Sequence, residues 1–247
     1  MRKFLYTALL FSTALLFNSC STMPPITMPV EPTPQKTKTV IHTVAPAETF
    51  WRISKMYNVP VSTIIQTNHM KSSDKLKMGQ KLVIPQASPL KPVVSLYPSR
   101  KWKYIIIHHS ATDKGNSLAV HKMHLKKGWD KGVGYHFVID NGTSGKQDGQ
   151  IEMSPRWIKQ EDGAHCKASG MNAKAIGICL IGNFNNERVS REQMESLVYL
   201  TNKLRRYYHI PVRRIIPHGQ VDGAATECPG KHFPWKKFLD KLKGQGY

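Results

Sequence analysis

Two proline-rich stretches divide this chain and limit the size of any core that it can build. Residues 21–38 read STMPPITMPVEPTPQKTK, and residues 86–100 contain three further prolines. Proline lacks the backbone N–H that helices and sheets use, so such stretches favour extended connectors. We therefore predict a flexible linker at 21–38, a small domain at 39–86, a second linker at 87–101 and a larger domain at 102–243.

The first twenty residues have the features of an export signal. Arg2 and Lys3 precede an apolar run over residues 4–17, and Cys20 follows it closely. The run is shorter than the roughly 20 apolar residues that a membrane-spanning helix needs. The segment resembles a lipoprotein signal peptide, which implies that Cys20 is lipidated and becomes the first residue of the mature chain. Ordinary secretion with an incidental cysteine is the alternative.

An export signal decides how the charge of the chain is interpreted. Lys plus Arg number 36 against 16 Asp plus Glu, which gives a net charge of +20. Such an excess favours nucleic acid, anionic lipid or acidic cell-wall polymer as a partner. Because an exported chain is a poor partner for nucleic acid, we expect none. We expect a lipid-anchored protein of the cell envelope, in the outer membrane if the host is Gram-negative, on its periplasmic or extracellular face.

The small domain is predicted to run strand, helix, helix, strand. A β-branched run at residues 40–44 precedes Thr49, a good N-cap for a helix that starts at Phe50. Residues 59–67 have helical spacing of apolar side chains, and residues 82–85 form the closing strand. This pattern predicts a βααβ unit.

The sequence of residues 41–85 resembles a LysM domain. It reads HTVAPAETFWRISKMYNVPVSTIIQTN and then LKMGQKLVIP. LysM modules bind glycans that contain N-acetylglucosamine, such as peptidoglycan. The resemblance implies a sugar groove near residues 45–50 and 65–70. Trp51 lies beside it, but an aromatic at a helix start usually packs in the core, so we assign it no sugar contact.

The larger domain interleaves strands with helices. Strands are predicted at 102–107, 135–139, 150–153, 175–181 and 213–216, and helices at 117–127, 191–208 and 235–242. The helix at 191–208 is amphipathic and has Ser190 as its N-cap. This alternation predicts an α/β fold with a central mixed sheet flanked by helices.

Three residues of the larger domain form a candidate zinc site. His108 and His218 each end a predicted strand, and Cys228 lies in the turn TECPG. Catalytic zinc uses three protein ligands and keeps one position open, and the long spacing favours a catalytic site over a zinc finger. Because the chain has 11 histidines, the residues alone leave other triplets open.

Five motifs of this domain resemble the type 2 N-acetylmuramoyl-L-alanine amidases. They are IIIHHSAT, GVGYHFVI, GAH, NAKAIGICLIGNF and PHGQVDGAATECPG, in the family's order, within residues 102–240. The family includes phage lysozyme-type amidases and animal peptidoglycan recognition proteins. The resemblance implies a Zn²⁺ held by His108, His218 and Cys228. It also implies that Tyr135 and Thr226 are catalytic and that His165 contacts substrate.

The implied function is zinc-dependent hydrolysis of the amide between N-acetylmuramic acid and L-alanine in peptidoglycan, with the LysM domain as the wall-targeting module. Its role would be remodelling, turnover or recycling of the wall. The alternative is a non-catalytic peptidoglycan-binding or wall-tethering lipoprotein. Glu152 and Glu161 are the candidate proton donors to the leaving amine, although both are expected at the surface. His124, on the helix at 117–127, is expected to be solvated.

The remaining cysteines leave one question open. Apart from Cys20, the chain has Cys166, Cys179 and Cys228, and an odd number of thiols cannot all pair. Export permits a disulfide between Cys166 and Cys179, which the sequence neither requires nor excludes.

Overall fold

The computed structural model describes residues 37–244. The predicted export signal, the lipidated Cys20 and the linker up to residue 36 lie outside the described residues. Within 37–244, every helix is too short or too polar to span a bilayer.

The predicted strands and helices occur in the predicted order, together with two short helices, at residues 155–158 and 171–174, that were not predicted. The strands are β1 (Lys38–Thr43), β2 (Lys81–Ala87), β3 (Tyr104–His109), β4 (Phe137–Asn141), β5 (Asp148–Met153), β6 (Ala175–Leu180) and β7 (Ile215–Pro217). The helices are α1 (Phe50–Tyr57), α2 (Val61–Thr67), α3 (Ser117–Lys126), α4 (Pro155–Ile158), α5 (Met171–Lys174), α6 (Arg191–Tyr207) and α7 (Trp235–Gly244). Short 3-10 turns precede α5 and flank β7.

The small domain has the predicted βααβ order. Strands β1 and β2 pair antiparallel, and Ile53 of α1 and Ile64 of α2 pack with them in one core. The Thr49 hydroxyl accepts the N–H of Arg52 and caps α1. The Asn68 side chain bonds the carbonyls of Ile64 and Val83, which ties α2 to β2. Trp51 is 56% exposed, so the expectation that it packs in the core is wrong.

The larger domain contains a five-stranded sheet in the order β5-β4-β6-β3-β7. Strands β4, β6, β3 and β7 run parallel, and β5 pairs antiparallel with β4. The predicted mixed α/β sheet flanked by helices is therefore confirmed. The strand predicted at 135–139 begins two residues later, at Phe137, which leaves Tyr135 in the preceding loop.

The two faces of the sheet have different neighbours. Ile105 and Ile107 of β3 share one core with α6 and α7, whereas Ile106 packs with Met171 of α5 on the other face. Because alternate side chains of a strand point to opposite faces, His108 shares the face of Ile106. Helices α6 and α7 thus cover one face of the sheet, and His108 lies on the other face.

The segment predicted as the second linker packs against both domains. The N–H groups of Ser88 and Lys91 donate to carbonyls at the end of α1. Further along, Val94 is buried in the core of the larger domain, and the Trp157 indole donates to the Ser95 carbonyl. The connector is therefore fixed by contacts on both sides. Its boundaries, and those of the two domains, stay predictions.

Buried charges join the two domains. Arg52 donates from Nη1 to Glu48 (3.0 Å) and from Nη2 to the carbonyl of Ile151 in β5 (2.9 Å). Lys146 lies 2.7 Å from a carboxylate oxygen of Glu152, and both side chains are almost fully buried. The expectation that Glu152 lies at the surface is therefore wrong, because Lys146 supplies the counter-charge that allows its burial.

Candidate active site

Parallel pairing of β3 with β7 brings the two predicted histidine ligands together. Ile105 pairs with Ile215 and Ile107 with Pro217, so both strands end at the same edge of the sheet. His108 lies near the end of β3, and His218 directly follows β7. Their ring centroids are 4.6 Å apart. Two histidines separated by 110 positions therefore meet because their strands are neighbours.

The loop from His218 to Cys228 folds back and returns the thiol to the same place. The N–H of Gly219 donates to the Cys228 carbonyl at 2.7 Å. A Cβ at Gly219 would lie 2.4 Å from the Thr226 carbonyl oxygen, so this close return requires glycine. The Cys228 Sγ lies 3.6 Å from His108 Nδ1 and accepts the N–H of His109 at 3.4 Å.

The donor atoms of His108, His218 and Cys228 fit a zinc ion. All three lie within 4.8 Å of one another. Tetrahedral zinc, with bonds of about 2.0–2.3 Å, places its ligand atoms roughly 3.3–3.8 Å apart. The 3.6 Å between Cys228 Sγ and His108 Nδ1 falls in that range. Imidazole and thiolate are also donors that zinc prefers.

Burial prepares these side chains for a cation. Burial, reinforced by His165 and His218, holds the pKa of His108 well below its usual range, and burial also lowers the pKa of His218. Both imidazoles are therefore neutral and have a lone pair to offer. Burial raises the pKa of the Cys228 thiol to about 12, despite the N–H of His109. Its proton leaves only when a cation takes its place.

The structure places Tyr135 beside the ligand set and Thr226 on the loop that carries Cys228. The Tyr135 ring centroid lies 5.1 Å from that of His108. Burial, followed by the neighbouring Cys179 and Cys228, raises the pKa of Tyr135 well above its usual value, so its hydroxyl stays protonated. Thr226 is exposed, and its hydroxyl accepts the N–H of Cys228 at 3.2 Å.

His165 lies directly behind His108. It is 7% exposed, and its Nδ1 is 3.0 Å from His108 Nε2. Its other nitrogen, Nε2, is 3.2 Å from the Ala175 carbonyl oxygen. Both ring nitrogens thus have partners within the protein. The role of His165 as a substrate contact stays a prediction.

One expectation about a neighbouring residue is wrong, and the open question of a disulfide has an answer. His124 is 4% exposed and not solvated, because the chain after α3 folds back so that Gly134 donates its N–H to His124 Nδ1. Cys166, Cys179 and Cys228 are all unpaired thiols, so the permitted disulfide does not form.

Sequence reasoning gave Cys179 no place at the site. Cys179 is fully buried in β6, and it pairs in register with His108 of the neighbouring strand β3. The missing signal was the strand order. Two-residue periodicity in β6 could have located Cys179 only once β6 was known to neighbour β3.

Comparisons with known proteins identify the families of both domains. Residues 98–231 match the family described as N-acetylmuramoyl-L-alanine amidase, and residues 42–85 match the LysM domain family. The endolysin of Enterobacteria phage T3 is 30% identical over 156 residues, which are 60% of this chain and 92% of that protein. The N-acetylmuramoyl-L-alanine amidase CwlH of Bacillus subtilis is 28% identical over 161 residues, 64% of this chain and 58% of CwlH.

A solved structure is also similar. The N-acetylmuramoyl-L-alanine amidase LysC from Clostridium intestinale is 32% identical, with a TM-score of 0.49, and the match covers 62% of this chain and 95% of LysC. The amidase family match spans more than half of the present chain. This chain therefore belongs to the N-acetylmuramoyl-L-alanine amidase family and carries a LysM domain in front of its amidase domain.

Proposed function

We propose that this protein is a zinc-dependent N-acetylmuramoyl-L-alanine amidase that hydrolyses the amide between N-acetylmuramic acid and L-alanine in peptidoglycan. The observation that carries the proposal is the convergence of His108, His218 and Cys228, whose donor atoms lie within 4.8 Å of one another. A chain of this family that only bound the wall would have no need for such a complete ligand set. Remodelling, turnover or recycling of the wall would be its role.

The neutral imidazoles of His108 and His218 and the sulfur of Cys228 would hold the zinc. A zinc ion in such a site lowers the pKa of a water on it to about 7 and polarises a bound carbonyl. The backbone hydrogen bond from Gly219 to Cys228 closes the loop and holds the third ligand beside His108.

Tyr135 is the group best placed to stabilise the reacting amide. Its protonated hydroxyl can donate a hydrogen bond to the carbonyl oxygen as negative charge builds there. Thr226, on the loop beside Cys228, would orient the substrate amide. Glu152 is unsuited to protonate the leaving amine, because Lys146 and the N–H of Ser117 already engage its carboxylate.

The LysM domain would hold the glycan strands of the same polymer. Residues 45–50 and 65–70 border the proposed groove, and the exposed Trp51 lies beside it. An exposed indole offers a flat apolar face on which a sugar ring can stack. The net charge of +20 suits a wall that carries carboxylates.

We further propose that Cys20 carries a lipid that anchors the exported protein in the cell envelope. The support is the apolar run at residues 4–17, which ends close to that cysteine. Mass spectrometry of the N-terminal peptide from membranes tests this, because a lipidated Cys20 is heavier by its acyl groups. An unmodified mature N-terminus would instead indicate ordinary secretion.

Digestion of purified sacculi tests the catalytic proposal. The full protein should release free stem peptides, identified by mass spectrometry of the soluble fraction, and a chelator should abolish the release. Zinc added back should restore it. If the protein retained zinc and bound sacculi without releasing peptides, the chain would be a peptidoglycan-binding protein and not an amidase.

A further inference from the structure

A chain of hydrogen bonds extends from the proposed metal position into the protein. His108 presents Nδ1 to Cys228 and Nε2 to His165 Nδ1, at 3.6 and 3.0 Å. His165 in turn presents Nε2 to the carbonyl oxygen of Ala175 at 3.2 Å. Two imidazoles and one carbonyl are therefore connected in series.

The carbonyl at the end of this series determines where both imidazole protons lie. A carbonyl oxygen only accepts hydrogen bonds, so the Nε2 of His165 must carry a proton. Since a neutral imidazole has one N–H, the Nδ1 of His165 is then an acceptor. It follows that His108 donates from Nε2 and leaves its own Nδ1 unprotonated, facing Cys228. This is the tautomer in which His108 can bind a metal through Nδ1.

Two glycines, one of them in the sheet, leave space for the His165 ring. A Cβ at Gly177 in β6 would lie 2.4 Å from the ring, and one at Gly163 would lie 2.3 Å from it. The Asn172 side chain accepts the backbone N–H groups of His165 and Cys166, both at 2.8 Å. The position of this ring is therefore fixed by glycines on two sides and by its own backbone.

We propose that His165 is a positioning residue for the metal, which acts by holding His108 in its metal-binding tautomer and orientation. This inference rests on the proposed zinc function and gives His165 a role other than substrate contact. Partners of this kind behind a metal-bound histidine contribute about 10- to 100-fold to metal affinity.

Two substitutions at this position separate positioning from packing. His165→Asn places an amide oxygen close to the position of Nδ1 and keeps an acceptor for His108. His165→Leu has a similar volume but offers no acceptor. Circular dichroism and thermal unfolding of the metal-free proteins establish that both variants fold.

Metal affinity is the primary measurement. Zinc dissociation constants come from competition with a chelator, and Co²⁺ substitution reports the Cys228–metal bond through its sulfur-to-cobalt charge-transfer band. We expect His165→Leu to weaken zinc binding about 10- to 100-fold and to alter the Co²⁺ spectrum. We expect His165→Asn to remain close to the unsubstituted protein in both measurements.

Two other results would overturn the inference, and they differ from each other. If His165→Leu bound zinc normally but had a raised KM on peptidoglycan fragments, His165 would be a substrate contact and positioning would be wrong. If the unsubstituted protein itself bound neither zinc nor Co²⁺, the proposed zinc function would fail and the positioning role with it.

Discussion

The ammonium group of Lys146, in the amidase domain, donates a hydrogen bond of 2.7 Å to the backbone carbonyl of Thr43, the last residue of β1 in the LysM domain. The same ammonium group lies 2.7 Å from Glu152. Burial would lower the pKa of Lys146, but the neighbouring Glu152 and Glu48 outweigh it and raise that pKa, so the side chain stays charged. One buried cation thus serves both domains.

We predict that Lys146→Met lowers the free energy of unfolding by about 3–5 kcal/mol, because it leaves the Glu152 carboxylate buried without a counter-charge. Urea unfolding provides the measurement. Lys131→Met is the matched control: Lys131 pairs with Glu161 but its side chain is 62% exposed, so the loss should stay below about 1 kcal/mol. Equal losses in the two variants would contradict a special role for the buried pair.

Removal of the sulfur ligand should abolish both zinc binding and hydrolysis. We expect Cys228→Ser to lose stoichiometric zinc, measured by elemental analysis, and to release no stem peptides from sacculi. Cys166→Ser is the control, because Cys166 is a buried free thiol outside the ligand set. A Cys228→Ser protein with normal zinc content would rule out the assigned set.

The Tyr135 hydroxyl should affect catalysis more than binding. Tyr135→Phe keeps the ring beside His108 but removes the donor, so we expect kcat to fall about 10²- to 10³-fold with little change in zinc affinity. Kinetics on soluble muropeptides provide the measurement. Tyr199→Phe, at an exposed tyrosine of α6, should leave kcat unchanged. An unchanged kcat in Tyr135→Phe would show that its hydroxyl takes no part.

His136 should make the fold sensitive to acid. Its Nδ1 accepts the N–H of Gly177 and its Nε2 lies 3.1 Å from the Glu161 carbonyl, an arrangement that only the neutral ring satisfies. Burial lowers the pKa of His136 from 6.5 to about 3, although the bond to Glu161 opposes this. Because the folded pKa is the lower one, the unfolded chain takes up the proton first as the pH falls below 6.5.

Stability contributed by neutral His136 is therefore complete above pH 6.5 and is lost progressively down to about pH 3. The loss is on the order of 5 kcal/mol. Urea unfolding at several pH values should show a shallower decline for His136→Asn than for the unsubstituted protein. Parallel declines in the two proteins would exclude this histidine as a source of the acid sensitivity.

Local patterns were sufficient for the longer helices and the strands, whereas the candidate ligand set came from the resemblance to the amidase family, because the residues alone left other histidine triplets open. Helix α6 begins where Ser190 predicts, and the structure shows a full capping box between Ser190 and Gln193. The β-branched run before His108 likewise marked a strand and its end. These features depend on neighbours within a few positions, which a sequence displays directly.

Contacts between distant segments could not be predicted in the same way. Glu152 and His124 were expected to be solvated because their residue types usually are, and both are buried. Each is buried because a residue outside its own strand or helix supplies a partner: the N–H of Ser117 for Glu152, and the N–H of Gly134 for His124. Trp51 was expected in the core because helix starts often bury aromatics, yet α1 directs it outward. The periodicity of a helix or strand does not show which residues outside that element will pack against each of its faces.

The packed connector restricts the movement of the two domains relative to each other. If the connector were flexible, the amidase domain could reach any bond within a sphere around the point where the LysM domain binds. A fixed connector instead holds the amidase domain at one distance and in one direction from that point. Ser88 and Lys91 hold the connector on one side and Val94 on the other. We therefore expect the cleaved stem-peptide amides to lie at a constant distance from each position where the LysM domain binds a glycan strand.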